Sequence, residues 1–205
     1  MTTILRIMGF AAVALLIGNA YSQSDRTFTS AIARIHLTIP PSWKFQNLET
    51  IARNRAAARL KDQELQRAVE QMASAPLVVA TKHPEPYPSL NPSFQLLVRP
   101  LGRLSSLTGA QILALVQPTL EKSFSDFILV SPIQEVMVGR LPGAMLTARY
   151  TVSNQSGQTF PTQATIVAIP RDSFLYQISF SAPPDGPDAL RSKVKDVLGS
   201  IEFLE

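Results

Sequence analysis

The chain contains no cysteine. That excludes at once a disulfide framework, a thiolate nucleophile, a cysteine-ligated metal site and a lipidated N-terminal cysteine. A chain of 205 residues can manage without disulfides even in an oxidising compartment, because it can bury a sizeable core. Histidine is scarce as well: His36 and His83 are the only two, which leaves imidazole-based acid–base chemistry few places to reside. Charged residues make up 17% of the chain against 45% hydrophobic, a balance that excludes disorder. The net charge of +4 is spread without a concentrated basic run, which argues against a nucleic-acid partner. Glycine is outnumbered by proline, nine to sixteen. The one Gly-bounded segment that invites comparison with a phosphate loop, GRLSSLTG (Gly102–Gly109), lacks the lysine and the strand–turn–helix setting. Neither a G-x-S-x-G elbow nor an H-E-x-x-H pair occurs.

Long apolar runs are also missing, with one short exception at the N-terminus. Arg6 and the α-amino group form a positive region, Ile7–Ile17 is apolar, and Gly18-Asn19-Ala20 supplies small residues where a signal peptidase reads. The run falls below the ~20 residues that cross a bilayer as a helix. Residues 1–20 therefore read as a signal peptide, with a retained N-terminal anchor as the alternative. The absence of a twin-arginine pair favours the general secretory route. The expected destination is the periplasm or the exterior, with no integral span once the leader is removed.

Beyond the leader, residues 21–30 are polar and read as a loose arm, and residues 31–205 suit a single domain. Ile35, Leu37 and Ile39 alternate with polar residues at strand period, and Pro40-Pro41 stops the strand before Trp43 and Phe45. Leu48–Ala75 contains neither Gly nor Pro and predicts a long helix, with Ile51, Ala58, Leu65, Val69 and Met72 on one stripe. Arg55 and Asp62 interrupt that stripe. Leu77–Thr81 and Phe94–Arg99 read as strands on either side of KHPEPYPSLNP, whose prolines at 84, 86, 88 and 92 bar it from a central strand. Thr108 and Gln111 form a capping box ahead of Ile112, Leu115, Val116 and Leu120, predicting a helix kinked or restarted at Pro118. A β-meander follows: Glu135–Val138, Ala144–Val152, Thr162–Ile169 and Phe174–Ser181 alternate and are separated by turn residues. Its last strand places Phe174, Tyr176, Ile178 and Phe180 on one face, committed to the core. A final helix starting at Asp185 or Asp188 carries Leu190, Val194, Val197 and Leu198, and Gly199 ends it. The expected fold is α+β, a central antiparallel sheet flanked by helices in an α/β/α sandwich.

Five features recur in one order: IHLTIPPSW (Ile35–Trp43), FQLLVRP (Phe94–Pro100) with its following helix, the LPG turn (Leu141–Gly143) leading to a strand that ends in Tyr150, SFLYQISFSAP (Ser173–Pro183), and a terminal helix running into SIEF (Ser200–Phe203). In that order the chain resembles the PsbP/DcrB-like superfamily, which includes photosystem II extrinsic proteins, a yeast Ran-binding protein and bacterial envelope proteins. The resemblance covers roughly Ile32 to the C-terminus. It implies a PsbP-like antiparallel sheet between helical layers, in a family whose members mostly bind and assist instead of catalysing. Two departures stand out: there is no cysteine to lipidate, and the helix over Leu48–Ala75 is long for the group.

The candidate functional residues fall in two places. His83, Glu85 and Tyr87 lie in the Pro-rich loop, which either contacts a protein partner or simply covers one end of the sheet. His83 and Glu85 are two possible metal ligands, too few for a tight site. Arg53, Arg55 and Arg59 make the first half of the long helix basic and could steer an acidic partner or face solvent. The expected function is a non-enzymatic accessory, assembly or binding domain of the cell envelope, with a protein partner and no cofactor or metal. The alternative is a carrier of a small apolar ligand between the sheet and the long helix, and a serine hydrolase is the third class. Processing is directly testable: N-terminal sequencing of the exported protein should begin at Tyr21 or Gln23, and an intact Met1 in the membrane fraction would contradict the leader assignment.

Overall fold

The strand at Thr159–Arg171 buries both of its faces, and that requirement organises the molecule. Val167 and Ile169 point into one core while Ile166 and Ala168 point into another. A strand apolar on both sides must be covered on both sides. The computed structural model describes residues 21–47, 58–59, 76–154, 156–185 and 190–205. Its strands are β1 (Tyr21–Gln23), β2 (Thr27–Ser30), β3 (Ile35–Thr38), β4 (Lys44–Phe45), β5 (Ala58–Arg59), β6 (Val78–Thr81), β7 (Ser93–Pro100), β8 (Ser125–Val138), β9 (Leu141–Asn154), β10 (Thr159–Arg171), β11 (Phe174–Ala182) and β12 (Glu202–Phe203). The described α-helices are α1 (Gly109–Ser123) and α2 (Arg191–Gly199).

The large sheet runs β4-β6-β7-β11-β10-β9-β5, with β8 also paired to β9, and the small sheet runs β1-β2-β3-β12. The pairing is antiparallel in both. On one face of the large sheet, Phe94, Leu96, Tyr176, Ile178 and Phe180 pack with Phe28, Ile35 and Leu37 of the small sheet and Val197 of α2. On the other face, Leu146, Ala168 and Leu175 pack with Ile112 and Leu113 of α1.

Among the described residues the architecture is a β-rich α+β fold: α1 covers one face of the large sheet, and a second sheet, which the sequence did not lead us to expect, covers the other together with α2. Two short segments make the difference. Residues 21–30, expected to be a loose arm, form the β1–β2 hairpin with Tyr21 opposite Ser30. Thr27 and Thr29 suit a strand, and Phe28, 1% exposed, anchors it in the core. SIEF supplies β12, which pairs with His36 and Ile35.

Ala58 and Arg59 also depart from expectation. They pair with Asn154 and Ser153 of β9, so no helix runs unbroken through Leu48–Ala75. Strand β8 reaches β9 only as far as Thr151. The backbone groups beyond that point are left for β5 to use, and such pairing overrides a helix propensity of a few tenths of a kcal/mol per residue. The rest of Leu48–Ala75 lies outside the described residues.

The later elements follow the sequence closely. The capping box on α1 is complete: the Gln111 amide donates to Thr108 Oγ1 at 3.2 Å and the Thr108 amide to Gln111 Oε1 at 2.9 Å. The helix continues through Pro118 to Ser123. Tyr176, Ile178 and Phe180 are buried as expected, but Phe174 is 46% exposed because its partner Pro100 is the last residue of β7 and the covering layer has ended. Helix α2 begins at Arg191, later than Asp185, and ends at Gly199.

Gly109 brings the first turn of α1 against the sheet. A Cβ there would lie 2.4 Å from the Ala168 carbonyl oxygen and 2.8 Å from the Ala144 nitrogen, whereas one at Gly199 would meet nothing within 4 Å. Gly109→Ala should therefore cost about 1–3 kcal/mol through overpacking against immovable backbone. Gly199→Ala should be neutral or stabilising by up to about 1 kcal/mol. Urea denaturation of the two variants checks this, and equal midpoints would contradict the packing described.

Candidate functional site

The prolines at 84, 86 and 88 offer no backbone donors, so the connection between β6 and β7 cannot hold itself with a ladder. Side chains replace it. The Lys82 amide closes the loop on the Pro92 carbonyl at 2.9 Å. Asn91 then ties three groups together: its Nδ2 donates to the His83 carbonyl at 2.9 Å and to Glu85 Oε1 at 2.8 Å, and its Oδ1 accepts from the His83 amide at 3.1 Å. The Tyr87 amide donates to Glu85 Oε2 at 3.2 Å, and the Thr81 hydroxyl donates to the His83 carbonyl at 3.0 Å. The result is a stack of the His83 and Tyr87 rings, centroids 4.4 Å apart and 8° from parallel. Both rings are half-buried, while Pro84, Pro86 and Pro88 are exposed around them.

His83, Glu85 and Tyr87 are thus brought together, as a preorganised aromatic pair. Both Glu85 oxygens accept hydrogen bonds inside the loop. Among the described residues no group of three or more His, Asp or Glu could hold a metal ion. Arg53 and Arg55 lie outside the described residues. The backbone of Arg59 is in β5, at the opposite edge of the large sheet from β4 and β6. Five strand spacings separate β6 from β5, roughly 24 Å.

Three features of interest escaped the reading of the sequence. Asn91 holds the loop, and its position just before Pro92 is a turn signal that could have drawn attention. Strand β8 begins at Ser125 and carries exposed Ile128, Val130 and Met137; the unbroken apolar run FILV hid its alternation. Arg99 and Gln177 meet on the α1-covered face of the large sheet, where the Arg99 guanidinium donates to Gln177 Oε1. Nothing local in the sequence marks that encounter, because it depends on the β7–β11 register that sets Leu97 opposite Gln177.

No protein-family model matches the sequence, and no curated protein is similar to it in sequence. Solved structures are similar in fold. The cyanobacterial PsbP (CyanoP) of Synechocystis sp. PCC 6803 superposes with a TM-score of 0.54 at 11% identity, over 96% of this chain and 98% of that one. A protein from Bacteroides thetaiotaomicron VPI-5482 gives 0.45 at 10% identity, over 89% of this chain, which spans only half (50%) of the length of that protein. The Saccharomyces cerevisiae Ran-binding protein Mog1p gives 0.42 at 14% identity, over 81% of this chain and 85% of that one. The sequence motifs and the superposition on cyanobacterial PsbP agree: this chain has the PsbP-like fold.

Proposed function

We propose that the chain is a non-enzymatic accessory domain, exported to the cell envelope, that captures a protein partner through loop 82–92. The observation that carries this reading is the His83–Tyr87 stack held by Asn91 and Glu85. A loop already ordered by its own hydrogen bonds loses little conformational freedom on binding, so more of its contact energy appears as affinity. Tyrosine in such a setting is a rigid amphipathic anchor of the kind that dominates interfaces. The PsbP-like fold supports the reading by resemblance, since that superfamily mostly binds and assists. The leader at residues 1–20 supports export. With Arg59 roughly 24 Å from the loop, several Debye lengths at physiological salt, Arg53, Arg55 and Arg59 would steer an acidic partner at low ionic strength.

The test is capture of partner from envelope extract by the purified mature chain, followed by titration of the captured species. Tyr87→Ala should weaken binding by roughly 30-fold, equivalent to about 2 kcal/mol, with little change in melting temperature. Arg55→Glu combined with Arg59→Glu should slow association and remove its salt dependence. If both variants bind like the wild type, the interface lies elsewhere. If both unfold, these residues are structural and the loop merely covers the end of the sheet.

A further inference from the structure

Between α1 and the face of the large sheet made by β7, β10 and β11 lies a cavity of about 130 Å³. Its walls are apolar, formed mainly by Ile112, Val116 and Leu120 of the helix and by Ile166 and Leu175 of the sheet. Leu115, 47% exposed, also lines it and marks where it meets solvent. The polar lining is limited to Arg99, Gln177 and Thr119.

Arg99 is the unusual member. Its Nε is buried and has no hydrogen-bond partner. Among the described residues the neutral amide of Gln177 is its one hydrogen-bonding contact, and no carboxylate pairs with it. Burial lowers its pKa from the ordinary arginine value, yet a guanidinium does not lose its proton in a protein. The site therefore holds a permanent cation, half-buried and with its Nε short of a partner, at the edge of an apolar void. Leaving that buried N–H unpaired is costly, and an anion on the guanidinium would complete it. A carboxylate is the anion whose two oxygens match the guanidinium fork. The volume sets the rest of the ligand: a void of about 150 Å³ admits benzene, so this one encloses about six carbons and a longer tail leaves past Leu115.

We propose that this cavity binds a small apolar monocarboxylate, a medium-chain or aromatic acid, with its head on Arg99 and its body between α1 and the sheet. The ligand lies under α1, whereas the sequence alone suggested a carrier site between the sheet and the segment Leu48–Ala75. The inference is independent of the partner-binding reading. Arg99 sits six residues along β7 from Ser93, where the Pro-rich loop ends, about 20 Å away.

The test titrates the mature wild-type chain with octanoate, octan-1-ol and octylamine, following melting temperature and amide chemical shifts. Octanoate should saturate, raise the melting temperature and bind at least about tenfold tighter than octan-1-ol, and octylamine should not compete. Val116→Phe, which fills the void, should abolish octanoate binding. Arg99→Met should erase the preference for acid over alcohol. Equal affinity for octanoate and octan-1-ol, absence of saturable octanoate binding, or binding that survives Val116→Phe would each overturn the proposal. The wild-type comparison decides the matter even if Arg99→Met fails to fold.

Discussion

The two sheets share the core on one face of β10, and at the end of that strand the side chain of Arg171 fastens the small sheet to the large one. That side chain is 13% exposed, and its guanidinium donates from Nη1 to the Arg34 carbonyl at 3.2 Å and from Nη2 to the Leu204 carbonyl at 2.6 Å. It also lies over the Phe203 ring, 5.4 Å from the centroid. Tyr176 adds a hydroxyl that donates to the Ala33 carbonyl at 2.8 Å, and its ring meets Phe203 edge-on at 5.0 Å. These acceptors lie at the β2–β3 turn and at the C-terminus, where ladder hydrogen bonds end, so charged and phenolic donors satisfy backbone that would otherwise be stranded. Arg34 and Asp172 adopt left-handed backbone (φ 49° and 53°), each at a cost of about 1 kcal/mol or more. The Arg34 carbonyl, which accepts from Arg171 and from the Leu204 amide at 2.9 Å, shows what that conformation makes possible.

Once the small sheet is seated, the register of the large sheet has no freedom. A slip of one residue in β10 or β11 would exchange the two cores, sending Ser179 and Gln177 toward Ile35 and Leu37 and Ile178 toward α1. The same register sets both candidate sites. It holds Thr81 opposite Ser93, so the Pro-rich segment must close as a hairpin loop, and it places Arg99 beside Gln177 beneath α1. Loop and cavity are thus the two ends of one rigid strand, β7.

Much of this was legible in the residues because it is local. The meander from β9 to β11 alternates over long stretches, and the Thr108–Gln111 capping box is a four-residue pattern with its own hydrogen bonds. The elements that were misread are short and polar, or lean on something distant. In β2 the one large apolar side chain is Phe28, β12 is two residues long, and β5 pairs where β8 has stopped short of Asn154. The candidate site divides in the same way. Prolines announced the loop, but the His83–Tyr87 stack depends on Asn91 arriving across the hairpin, and the Arg99 cavity depends on three strands and a helix.

Native-state hydrogen exchange tests most directly whether the Arg171 attachment makes the two sheets one unit. The Thr38 amide, which donates to Ser200 Oγ at 3.1 Å, reports on the small sheet, and the amides of β11 report on the large one. Wild-type Thr38 and β11 should exchange with the same opening free energy, and in Arg171→Met the Thr38 amide should become exposed first while β11 keeps its protection. Exchange at Thr38 about a hundredfold faster than in β11 in the wild type, unchanged by Arg171→Met, would contradict it.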